Sequence, residues 1–356
     1  MMSIFRPALL RFAVACALAS GLVACGGGGG TSPNVTVATY VPGAAESGAL
    51  GVLLNARASC GFNGTNPSVQ FTRNAKLDAA SLAHAKYLVD WSFATGISQI
   101  QHEEDPLIAG FTGIDLSDRG LHQKYSYGAL AEILEATSWD YQSQQTFATM
   151  ETRGANSMRN LLNTVYHLSG AMFEGNEVGV GAYMKTASIT STTWREEYRF
   201  GALIGYNDSY FSPPIVLGAG KIATYPCNGM TGIPTSFAPA FESPNPFPSY
   251  SSVQLVGPPI YLKVDASHTL TIGSYSITQN NTAIPAVLLT TANDPNTYPN
   301  SVPPRKYIEP NEAFLVPSIP LTAGKDYTVK ITGTIDAGTA NSVGFVLPSF
   351  TFSTGS

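Results

Sequence analysis

The side chains of this chain whose types could do chemistry are imidazoles and the carboxylates near them. It has five histidines, at 84, 102, 122, 167 and 268. His102 opens the run Gln101-His-Glu-Glu-Asp-Pro106, where an imidazole beside three acids could help bind a cation or could be a solvated acidic turn. The run is not a His-Glu-x-x-His zinc-protease helix, because position 106 is proline and no second histidine follows one turn later. His167 lies in Asn163-Thr-Val-Tyr-His-Leu-Ser-Gly-Ala-Met172, an apolar stretch of helical character. Two neutral imidazoles would suit zinc, copper or nickel, and a neighbouring acid would orient a ring N–H or a bound water. The others read more plainly: His84 on an apolar helical stripe as a satisfied core residue, His122 as an exposed loop residue, and His268 as part of a turn. There is no Gly-x-Ser-x-Gly elbow and no Cys-x-x-Cys pair.

The segments that must position these residues change character along the chain. Residues 46–60 and 73–94 show helical spacing, the second capped by Asn74 and ended by Gly96. A loop over 101–124 leads to further helical stretches at 126–137 and 155–173. Val178–Tyr183, Tyr198–Tyr206 and Ile215–Ala223 are rich in β-branched and aromatic residues and read as strands. Residues 234–248, with five prolines, read as a stiff extended linker. Beyond it, alternating runs at 261–264, 269–277, 286–290, 313–316, 327–333 and 350–352 suggest a small all-β sandwich over 249–356.

Composition limits the partners. The 356 residues carry a net charge of −5 with no basic stripe, so no electrostatic footprint for nucleic acid exists. Charged residues are only 12% of the chain, and 44% are hydrophobic, enough for packed cores. Residues 1–24 hold Arg6 and Arg11 ahead of an apolar run from Phe12 to Ala24, too short to span a membrane but suited to an export signal. The run ends in Leu22-Val-Ala-Cys25 followed by five glycines, which resembles a bacterial lipobox. The resemblance implies lipidation of Cys25, a flexible tether over 25–45 and outer-membrane placement in a Gram-negative cell. Cys60 and Cys227 would then mature in an oxidising compartment, either as one disulfide or as two separate thiols.

The order of short motifs adds a second resemblance. Leu54-Asn-x-Arg57, Asn74-x-x-Leu77, Ala83-His84-Ala85, His102, Phe111-Thr-Gly113, Ala131-Glu132-Ile133, Val165-Tyr-His167 and Glu177-Val-Gly-Val-Gly181 follow one another. This series resembles the CAP superfamily, also called the SCP/PR-1 or cysteine-rich secretory protein family, in its short bacterial form. The resemblance implies an α+β architecture, with a CAP-type α-β-α sandwich over 46–233 followed by the small all-β sandwich. That last module loosely resembles bacterial immunoglobulin-like domains. It also implies a cleft in which His102 and His167 face a divalent cation, often zinc, at an open, weak site, with Glu132 beside them. The family's fourth position, an acid, has no counterpart here: Asn163 and Thr164 are nearest, and Glu103 could substitute.

Three functions follow as expectations. The first is a lipid-anchored, non-enzymatic binding module whose cleft takes a cation, a small apolar ligand or an envelope or host protein. The second is a metal-dependent hydrolase with Glu132 as general base. The third is an adhesin or structural envelope protein acting through 249–356.

Overall fold

The computed structural model describes residues 2–5, 40–66, 68–143, 145, 147–208, 214–298, 301, 303–338 and 342–356. Cys25 and most of the expected 25–45 tether lie outside the described residues.

Five strands make the first sheet: β1 (Met2–Phe5), β2 (Thr72–Arg73), β3 (Tyr127–Tyr141), β4 (Glu177–Ser188) and β5 (Trp194–Asn207), in the order β1-β3-β5-β4-β2. All neighbours are antiparallel except β2 and β4. Helix α2 (Ala75–Thr95) begins as its sequence predicts, with the Asn74 side chain accepting from the Lys76 amide at 2.9 Å, and stops at Gly96 in the left-handed region. It lies directly on β4, and the glycines of Glu177-Val-Gly-Val-Gly181 explain how. A β-carbon on Gly179 or Gly181 would sit 2.1 Å from backbone atoms of Leu77 or Leu82. The motif is a packing surface for a helix.

Helix α1 (Ala45–Ser59) packs against α4 (Met150–Leu161). Between these, α3 (Leu116–His122) starts at Asp115, whose carboxylate accepts from the Ser117 and Asp118 amides. A short α5 (Val165–Ala171) follows α4.

The expected fold class does not hold. The described residues form thirteen strands in three sheets against five helices, 34% strand to 21% helix, a sheet-rich fold rather than a CAP-type α-β-α sandwich with a small all-β sandwich appended. Particular segments account for the shift. Residues 126–137, rich in Ala, Leu and Glu, were expected to be helical but form most of β3. Burial between β5 and β1 overrides a helical propensity worth only tenths of a kcal/mol per residue. The expected helix over 155–173 is broken at Leu162–Thr164 into α4 and α5. Residues 215–222 are not strand; only Ala223–Tyr225 is.

The remaining strands form two further sheets. One has the order β10-β11-β7-β6, from β6 (Ala223–Tyr225), β7 (Ile260–Lys263), β10 (Ala286–Thr290) and β11 (Glu312–Pro317). The other has the order β13-β12-β8-β9, from β8 (Thr269–Gln279), β9 (Thr282–Ile284), β12 (Asp326–Asp336) and β13 (Ser342–Ser353). Strands β7 and β11 are buried along their whole length. Their residues alternate between two cores. Tyr261, Phe314 and Val316 join Phe62, Leu168 and Phe173 of the helical half, while Ile260, Leu262, Ala313 and Leu315 join Val329 and Phe352 of the outer sheet. The disulfide Cys60–Cys227, with Cα atoms 5.3 Å apart, ties α1 to the segment leading from β6.

Buried charge sits at this junction. The Lys263 ammonium lies 3.0 Å from both Glu174 and Glu312. Glu312 also accepts from Tyr261 and Ser169 at 2.8 Å each. Burial alone would lower the lysine pKa, but Glu174 and Glu312 together raise it, so the ammonium stays charged. Removing one member strands the rest without water. Lys263→Ala is therefore expected to lower unfolding free energy by about 3–5 kcal/mol, read from urea unfolding. A loss under about 1 kcal/mol would show that the cluster does not hold the halves together.

Candidate functional site

Each of the three buried histidines has its own glutamate. His102 Nδ1 lies 2.7 Å from Glu132 Oε2, and both residues are buried. Arg119, fully buried in α3, donates to the same carboxylate oxygen at 2.6 Å and to the His102 carbonyl at 2.6 Å. Glu132 stands on β3 opposite Leu203 of β5 on one side and Ser3 of β1 on the other. Burial opposes its ionisation, but the Arg119 charge, with help from His84 and the His102 hydrogen bond, holds it well below the usual carboxylate range.

With an ionised carboxylate against Nδ1, the His102 ring must place its proton there. Burial pushes the imidazole down to about 4 although Glu132 pulls the other way, so the ring is neutral at pH 7. Its Nε2 is then a bare acceptor. That atom is buried and has no hydrogen-bond partner among the described residues. An unmet acceptor held in one tautomer by a carboxylate is the chemical opening at this site.

His167 is held differently. Its Nδ1 is 2.7 Å from the Thr164 hydroxyl and 3.2 Å from Glu242 Oε1. Glu242 also accepts from the backbone amides of Val165, Tyr166 and His167 at 2.9, 2.6 and 3.2 Å, so one carboxylate caps the first turn of α5 and fixes its histidine. Burial lowers the His167 pKa to about 4. Glu242 is lowered as well: burial opposes ionisation, and His167 and the amides outweigh it.

His84 takes the plain role expected of it, with Nδ1 2.8 Å from Glu104 and Nε2 2.9 Å from the Gln101 carbonyl. Glu103, the expected substitute for the fourth cleft acid, is exposed, whereas Glu104 beside it is buried. His122 is exposed, and His268 sits in a turn with Asp265.

Sequence reasoning missed Arg119 and Glu242. Glu242 is the single charged residue in 234–248, and that isolation was the signal available. The segment is not merely a spacer here: its Ser236 carbonyl accepts from Asn163 at 2.9 Å, and Glu242 reaches into α5. Arg57, from another motif, is a structural anchor. It is fully buried and donates to the carbonyls of Ala171, Phe173 and Gly175 at 2.8, 3.0 and 3.2 Å, holding the chain after α5.

A scan of protein-family models finds no match to this chain, and neither does a search of curated proteins. The site must speak for itself.

Beside His167 lies a cleft of about 620 Å³; Leu134, two residues beyond Glu132, and Ile100, two before His102, line it, whereas Glu132 and His102 themselves do not. Leu134, Ile100, Phe237 and Phe241 supply apolar walls, and His167 and Thr164 supply polar groups. Phe241 is 89% exposed. Among the described residues no group of three or more His, Cys, Asp or Glu side chains could hold a metal ion. The donors fit a hydrogen-bonding cleft more closely than a closed zinc site, which takes four ligands.

The two lowered histidines give a pH signature. Between the ordinary value of 6.5 and about 4, the unfolded chain takes up protons that the folded chain refuses. Stability from this source is fully present above pH 6.5 and is lost as pH falls through that window, by roughly 3 kcal/mol per histidine at most. Glu132 and Glu242, held low, extend the loss below about 4.5. The melting temperature should fall steadily from pH 6.5 to 4.5, and fall less steeply in a His102→Asn/His167→Asn variant. Identical slopes in the two proteins would contradict this account.

Proposed function

We propose that this protein is an exported, lipid-anchored binding module whose cleft beside His102, Glu132 and His167 captures a ligand without transforming it. The observations that carry the reading are the His102 Nε2 acceptor, buried and without a hydrogen-bond partner among the described residues, and the cleft lined by His167, Ile100 and Leu134. Such a pairing suits a ligand with an apolar body and one N–H or O–H donor. The same nitrogen would also serve a divalent cation, through an open and weak coordination that a ligand or water would have to complete.

Glu132 is poorly placed as a general base. A base works best with a pKa near the working pH, and this carboxylate is held far below it by Arg119 while both neighbours occupy the same oxygen. The anchor belongs to the proposal as well. No helix among the described residues is long and apolar enough to cross a membrane, so in this reading attachment runs through acylated Cys25. The motif order that resembles CAP proteins is compatible with this role but does not carry it.

The test uses the full-length protein in detergent with ¹⁵N-labelled histidine, titrated separately with phenol and with zinc chloride. Phenol is expected to shift the His102 Nε2 resonance while the resonances of His84, whose two nitrogens are already partnered, stay in place. A zinc-only response would favour a cation over a donor-bearing ligand. No response to either probe would end the binding-module reading.

A further inference from the structure

Strand β3 has one side fully paired, with β5 along its whole length, and one side that is not. On the second side only Leu130–Ile133 are covered, by Met2–Phe5 in antiparallel register: Met2 opposite Ile133, Ser3 opposite Glu132, Ile4 opposite Ala131 and Phe5 opposite Leu130. No described strand pairs with β3 there beyond Ile133. From Leu134 to Tyr141 the same edge runs past two clefts. The first is the 620 Å³ cleft of the histidine site. The second, about 630 Å³, is lined by Thr137, Trp139, Tyr141, Phe147, Arg153 and Tyr198. Glu135 and Asn160 line both and are hydrogen-bonded at 2.6 Å, so the two clefts adjoin at Glu135 of β3.

An open strand edge with successive side-chain pockets beside it is the geometry of β-strand addition. Main-chain hydrogen bonds supply affinity, and pockets for alternate side chains supply selectivity. Here the structure also shows an occupant in place, a short extended segment on the edge at Glu132. That segment falls within the residues that export processing is expected to remove, and its departure would leave Leu130–Ile133 open as well.

We infer that the β3 edge is a docking site for an extended polypeptide from a partner protein. The partner strand lies antiparallel to β3 in the place of Met2–Phe5, and its N-terminal part continues along Leu134–Tyr141 with apolar side chains in the two clefts. The inference deepens the binding-module reading and rests on it, naming the ligand class as an extended peptide. In the unprocessed chain residues 2–5 act as a placeholder on the same edge.

The backbone pairing can be broken without touching the body of the protein. In an antiparallel pair, N–H groups alternate between facing the partner strand and facing away, so proline at two adjacent positions removes a ladder donor in either register. A full-length Ser3→Pro/Ile4→Pro chain, produced like its wild-type comparison without export so that residues 1–24 are retained, therefore vacates the edge. A fluorescent peptide with the sequence of residues 1–8 is the probe, and the same peptide with proline at positions 3 and 4 is the control.

The vacated chain is expected to bind the probe at least tenfold more tightly than the wild type. In the wild type the tethered segment competes at an effective concentration on the order of millimolar. Amide hydrogen exchange across Leu130–Ile133 should slow on binding, and the proline peptide should do neither. Equal binding of the probe by both chains, equal binding of both peptides, or no binding at all would overturn the inference. A vacated chain that still shifts its His102 resonance with phenol yet refuses the probe loses strand docking alone. One that responds to neither loses the binding-module reading too.

Discussion

A carboxylate buried on a sheet strand stays charged only if positive partners and donors come to it, and this requirement shapes the contacts around β3. Glu132 is buried on β3 of the first sheet, where an unpaired charge would be prohibitive. Arg119 is brought to it by α3, which Asp115 caps and which packs close to β3. The same guanidinium grips the His102 carbonyl, so the loop carrying the histidine is fixed by the group that keeps the glutamate ionised. The His102 tautomer then follows, and with it the buried lone pair on Nε2 that no described residue meets. The charge state of Glu132 and the tautomer of His102 both follow from one buried ion pair.

The pattern repeats in a chain with few charges. Arg57, Arg119 and Arg199 are all fully buried and donate to backbone carbonyls, serine hydroxyls or internal carboxylates. Lys263, Glu174 and Glu312 do the same where the sheets meet, and Glu242 does so at α5. A buried pair is weak evidence of added stability, since burial costs each charge its hydration, but it specifies geometry strongly because a misplaced partner is expensive. The charges mark where segments distant in sequence must meet: residue 102 with 132, 167 with 242, 174 with 263 and 312.

Part of this was legible beforehand. Helix α2, with its Asn74 cap and Gly96 stop, follows from local chemistry, as does strand character in β4, β5 and most of the later strands. Helical character at 126–137 did not survive, because Ala, Leu and Glu favour a helix only weakly and β3 is dictated by its pairing with β5. The break between α4 and α5 was also invisible, since the carboxylate that caps α5 arrives from 75 or more residues away. At the site, His102, Glu132 and His167 could be named as types able to do chemistry. That they form two separate His–Glu pairs, with Glu242 rather than Glu103 as the second acid, required the folded chain.

The sequence by itself determined what is local or additive: the low charge, the apolar runs, the helix ends, the cysteines free to pair, and which residues carry titratable groups near neutrality. Tertiary structure decided everything that depends on two distant segments touching. It placed β7 and β11 between two cores, chose strand over helix for residues 127–141, assigned each buried histidine its glutamate, and left the edge of β3 partly open. The physical reason is range. Propensities and caps act over a few residues, whereas burial, ion pairing and strand pairing draw their energy from neighbours that only the fold supplies.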